Sequence, residues 1–74
     1  MNGFIEVTEK FQKRKITLPV FEIRSLGCCE DGNAFIETGF DNEGDSIGVY
    51  TQEPYEKVKQ LYAKAILFFK MNLV

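Results

Sequence analysis

Between Glu53 and Phe69 the chain reads EPYEKVKQLYAKAILFF, and Val58, Leu61, Tyr62, Ala65, Ile66 and Phe69 recur at spacings of three and four. That period puts them on one stripe of an α-helix and leaves Glu56, Lys57, Lys59, Gln60 and Lys64 on the remaining surface. A helix apolar on one side must lie on another layer. Everything before it consists of short runs with period two, so the layer it covers is a small sheet. Pro54 suits the first helical position, with Glu53 or Thr51 near the cap and Glu56 at the positive end of the helix dipole. A helix over about 54–70 follows. Up to Phe69 it is about 24 Å long at 1.5 Å per residue, comparable to a strand of about seven residues.

The strands can be traced in order. Phe4 to Thr8 alternates, with Ile5 and Val7 on one face. Glu9 to Lys15 is polar and basic apart from Phe11, and Ile16, Leu18 and Val20 then resume period two, which predicts a hairpin. Pro19 lacks an amide donor, so this second strand lies at an edge or bends there and restarts at Phe21. Phe21 and Ile23 share a face, and the phase slips before Leu26, predicting a bulge or strand end near Ser25 to Gly27. Glu30-Asp31-Gly32-Asn33 is a tight turn, because glycine tolerates positive φ. Ala34, Ile36, Thr38 and Phe40 form the next inward face with Phe35 and Glu37 opposite. Asp41-Asn42-Glu43-Gly44-Asp45 interrupts, and Ile47 and Val49 belong to the last strand. No connection is long enough for a crossover helix, so pairing is antiparallel. The expected fold is α+β: one domain over 1–74, with an antiparallel meander of four to five strands at about 4–51 covered on one face by the C-terminal helix.

Composition narrows the chemistry. The chain has no histidine, which removes the commonest general base near neutral pH and the commonest metal ligand, and with them Ser-His-Asp, Cys-His and HExxH sites. A net charge of −2 gives no broad positive field for a phosphate backbone. At 45% apolar and 27% charged the composition is that of a folded soluble domain, and no apolar run approaches the ~20 residues of a membrane span. MNGFIEV carries no secretory signal, so a cytoplasmic location is expected. A chain this short buries only ~60% of its unfolded surface, so a partner or a second copy would add stability. Cys28 and Cys29 are adjacent and too close for an ordinary disulfide. Strand geometry turns them to opposite faces, predicting one buried thiol and one near the surface.

Few residue groups could carry function. Lys10, Lys13, Arg14 and Lys15 cluster round Phe11 on the hairpin tip, where they could grip phosphates or simply be solvated, and the acidic balance argues against nucleic acid. Asp41, Glu43 and Asp45 alternate as calcium ligands do, but Ser46 and Gln52 stand where an EF-hand loop needs Gly and a bidentate acid. A solvated turn is the simpler account. The glycines at 39, 44 and 48 flank strands rather than open a helix, so they make no phosphate loop. Glu22 and Glu37, on the face away from the helix, are a candidate carboxylate pair for acid-base work, but open sheet faces commonly carry such charges. At the chain's end Ile66, Leu67, Phe68 and Met71 make the helix apolar nearly all round. Those side chains either meet a second subunit or another protein, or tuck into the end of the sheet.

The order of elements, with Ile5-Glu6-Val7-Thr8, the spaced aliphatics from Ile16 to Leu26, and Val49 followed by Glu53-Pro54-Tyr55-Glu56-Lys57-Val58, resembles the small FlbD-like proteins up to about Leu61. The resemblance implies a short bacterial protein, linked to motility in the flagellar members, and it supplies no catalytic residue. The longer acidic loop at Asp41 to Asp45, the cysteine pair and the apolar tail depart from that pattern. From the residues themselves the expected function is that of a non-catalytic protein-interaction or assembly module, self-association included. Neither a cofactor nor a metal nor a small-molecule substrate is indicated, and an alternative is a nucleic-acid-associated regulator working through Lys10 to Lys15.

Overall fold

The computed structural model describes residues 3–71, with side chains through 67. β1 (Phe4–Thr8) pairs with β2 (Lys15–Pro19) in an antiparallel hairpin. β3 (Ser25–Cys28), β4 (Asn33–Phe40) and β5 (Ser46–Pro54) form a second antiparallel sheet in that order, and α1 (Tyr55–Met71) follows β5 directly. The fold is therefore the expected α+β arrangement, with its strands divided between two sheets. Glu9 bridges to Thr51, and the Lys10 amide donates to the Tyr50 carbonyl at 2.8 Å, so the hairpin is fastened to β5 just beyond the end of β1.

The core forms where the periodicities converge. Ile5 and Val7 from β1, Ala34 and Ile36 from β4, and Val58 and Ala65 from α1 are buried together with Val20 and Ile23, and Tyr55, Leu61 and Tyr62 pack partly buried against them. Burying one such Val or Ile contributes about 1.5–3 kcal/mol, so this small cluster supplies most of the drive to fold. The helix begins one residue later than expected. Pro54 remains in β5 opposite Asn33, and the Tyr55 amide donates to the Gly32 carbonyl at 2.9 Å.

Two stretches depart from their apparent period. After Pro19 the chain makes a 3-10 turn, Val20–Glu22, rather than restarting a strand at Phe21. With three residues per turn, positions three apart align. Val20 and Ile23 therefore both point inward, while Phe21 is 71% exposed instead of sharing the face of Ile23. β3 then runs through the segment expected to end a strand. In β4 the register passes from Glu37 opposite Gly48 to Gly39 opposite Ile47, so Thr38 is an extra residue. Such a bulge reverses which side chains face in, and Phe40 is 51% exposed rather than aligned with Ala34 and Ile36.

The turns after β3 and β4 share one construction. Gly32 and Gly44 adopt φ of +87° and +86°. In the first, the Cys29 amide donates to the Asn33 carbonyl and the Gly32 amide to the Cys29 carbonyl; Asp41, Asp45 and Gly44 repeat the arrangement in the second. These are three-residue hairpin loops closed by a left-handed glycine. The β1/β2 loop closes instead on Lys13, at φ 58°, a conformation that costs an L-residue about 1–2 kcal/mol. Lys13→Gly is expected to raise the urea midpoint, with a gain of up to about 1 kcal/mol after glycine's own entropy is counted.

Candidate functional site

On the sheet face away from the helix, the pairing of Phe35 with Tyr50 sets their rings at a centroid distance of 4.6 Å. The fastening of the hairpin to β5 brings Phe11 to the other side of Tyr50, with centroids 5.7 Å apart and planes at 73°. Edge-to-face contacts of this kind are favoured by the ring quadrupoles. The result is a row of three rings drawn from the hairpin tip, β5 and β4. Phe11 is 70% exposed and Tyr50 45% exposed, so the row faces solvent.

Beside it is a cavity of about 270 Å³ whose lining includes Lys10, Phe11, Cys29, Glu30, Asp31 and Tyr50. The Lys10 ammonium donates to Asp31 Oδ2 and lies 5.9 Å from the Phe11 ring centroid. The hydrogen bond from Lys10, then that from the Asn33 amide, holds the Asp31 carboxyl below its ordinary 3.8. The same bond from the other side raises Lys10 above its ordinary 10.5. For Asp31, whose folded value is lowered, the stabilisation is complete above 3.8 and is lost as pH falls through the depressed value. For Lys10, whose folded value is raised, it is complete below 10.5 and is lost as pH rises through the raised value. The bridge therefore holds unchanged across the neutral range. In a pH series, the Asn33 amide, which donates to Asp31 Oδ1, should report the loss of the bridge at acid pH, below the ordinary carboxylate range, and the Lys10 side-chain resonances at alkaline pH, above the ordinary lysine range.

The four basic residues of the hairpin are not equivalent. Lys10 is bonded to Asp31, and Lys15 Nζ lies 3.5 Å from Glu6 Oε1. Among the described residues Lys13 and Arg14 have no acidic partner. At the other end of the molecule Ile66 is half-buried and Leu67 is 60% exposed, while the side chains of Phe68 and Met71 lie outside the described residues. Cys28 is exposed and Cys29 half-buried, both as free thiols. The expected buried thiol is absent from the pair because it sits at the end of β3, which pairs on one side only.

Glu37 and Asp41 have structural partners. Glu37 accepts from the Ser46 hydroxyl at 2.8 Å, and Arg24 Nε lies 3.9 Å away, whereas Glu22 sits in the 3-10 turn, off the sheet. Asp41 Oδ1 accepts from the amides of Glu43 and Asp45, fixing the turn. Among the described residues no three His, Cys, Asp or Glu side chains are grouped so as to hold a metal ion. Nor is any described helix long and apolar enough to cross a membrane.

The two polar residues expected near the helix cap, Glu53 and Thr51, bond to other segments. Glu53 takes the Thr8 amide on Oε1 at 2.8 Å and the Thr8 hydroxyl on Oε2 at 2.9 Å, tying β1 to the end of β5. Thr51 is the buried hydroxyl of the core: its Oγ1 accepts from the Ala34 amide at 3.3 Å and reaches the Glu53 carbonyl at 2.9 Å. Spacing alone places Thr51 inward, two residues after Val49, but nothing local shows which backbone groups it meets. Comparison of the chain with family models, with curated proteins and with solved structures finds no match. None of the three bears on the FlbD-like resemblance, and the functional reading rests on the side chains.

Proposed function

We propose that the chain is a non-catalytic module that binds other proteins, a second copy of itself among them. The row Phe11, Tyr50 and Phe35 carries this reading, because it places exposed rings on the face that the helix leaves uncovered. Aromatic side chains dominate interface hot spots, giving large contact area for few rotatable bonds. Binding of nucleic acid by the same hairpin is the weaker reading, since Lys10 and Lys15 already face carboxylates and only Lys13 and Arg14 remain for phosphates.

Capture of partners from the native host, run in parallel with wild type and Phe11→Ser, tests the proposal. Proteins retained by wild type and lost with Phe11→Ser support it; identical sets from both would remove the aromatic row from consideration. Self-association is a separate expectation placed at the helix end. Light scattering at tens of micromolar should give more than the monomer mass for wild type and the monomer mass for Leu67→Lys.

A further inference from the structure

We propose that the cavity between the β1/β2 hairpin and the 30–32 turn receives a cationic side chain, arginine above all, from a partner protein. This inference rests on the interaction reading and names the group recognised. The rings of Phe11 and Tyr50 stand nearly perpendicular at 73° and form two walls of the space. Cations are attracted to such ring faces by the quadrupole. Glu30 and Asp31 line the same space against one cation, Lys10, and Glu30 has no ion-pair partner among the described residues. The lining therefore carries one uncompensated negative charge.

The chain itself supplies the precedent. Lys10 places its ammonium on Asp31 and 5.9 Å from the Phe11 centroid, so one cation already occupies the kind of environment a second would meet. The size fits one side chain rather than a free ligand: about 270 Å³ falls just below the ~300–1,000 Å³ of small-molecule pockets. Arginine suits it better than lysine, since a planar guanidinium can stack on a ring while its edge donates in pairs to a carboxylate. An incoming guanidinium pairs with Glu30 and competes with Lys10 for Asp31.

The test is a titration of the nitrogen-15-labelled 74-residue chain with the blocked tripeptide Ala-Arg-Ala and its neutral citrulline counterpart, read by amide shifts. The arginine peptide should give saturable shifts confined to residues 10–11, 29–34 and 50–51, with the citrulline peptide at least about tenfold weaker. Glu30→Gln should weaken the arginine peptide about fivefold. Lys10→Met, which removes the internal competitor, should strengthen it about tenfold. Equal binding of both peptides, shifts scattered over the surface, or weaker binding to Lys10→Met would overturn the proposal. If the arginine peptide gives no shifts but Phe11→Ser still loses captured proteins, this inference fails and the interaction reading stands.

Discussion

Gly48→Ala should cost about 3 kcal/mol or more, at the upper end of what overpacking does in a tight core. Gly48 lies opposite Glu37 across the β4/β5 ladder, just before the bulge at Thr38. A Cβ placed there would overlap the Ile36 carbonyl, lying 2.8 Å from its carbon and 2.9 Å from the Phe35 ring. The ring could swing away, but the carbonyl belongs to the backbone of β4 beside a fully buried Ile36. Relief requires β4 and β5 to separate beside Ile36. Domains of this size are stable by only a few kcal/mol, so urea unfolding of Gly48→Ala should show most of the folded baseline lost. A wild-type midpoint would mean that β4 and β5 do not approach so closely.

Thr51→Val should cost about 2–4 kcal/mol despite its near-identical shape. Between the pairs Asn33 with Pro54 and Phe35 with Tyr50, β5 holds more residues than β4, and the ladder leaves Ala34, which is in register with Cys28 of β3, without a partner on the β5 side. The Thr51 hydroxyl accepts from the Ala34 amide and lies within reach of the Ala34 carbonyl at 3.2 Å and the Glu53 carbonyl at 2.9 Å. With one proton it donates to one carbonyl at a time. Valine would leave the buried amide unpaired, whereas Thr51→Ser keeps the hydroxyl and loses about one buried methyl, near 1 kcal/mol. Denaturant midpoints should fall in the order wild type, Ser, Val. The reverse order of Ser and Val would show that the site is held by packing rather than by hydrogen bonds.

Features specified by neighbouring residues were legible in the sequence. Ile5 and Val7 alternate within five residues of strand, Val58 and Ala65 repeat within one helix, and the Asp-Gly and Glu-Gly pairs mark their own turns. Phe21 was not legible, because the two residues between Val20 and Ile23 fit a strand restarting at Phe21 as well as a single 3-10 turn. Phe40 turned outward because Thr38 adds a residue to β4, which only the partner strand reveals. The candidate site was the least legible part. Lys10 and Phe11 stood out as members of a basic hairpin tip, but their association with Asp31 and Tyr50 depends on the Glu9 to Thr51 bridge, a contact between distant segments. The apolar surplus at the helix end was visible in sequence, and Leu67 is the exposed member among the described side chains.

The central claim is that the aromatic row belongs to recognition and not to the core. Urea unfolding of Phe11→Ser tests it most directly, with no partner needed. A ring that is 70% exposed and touches Tyr50 only at its edge should contribute under about 1 kcal/mol to folding. The account predicts a midpoint close to wild type with an unchanged slope. A loss of about 3 kcal/mol, the size seen when a core phenylalanine is truncated, would contradict it and make Phe11 part of the fold.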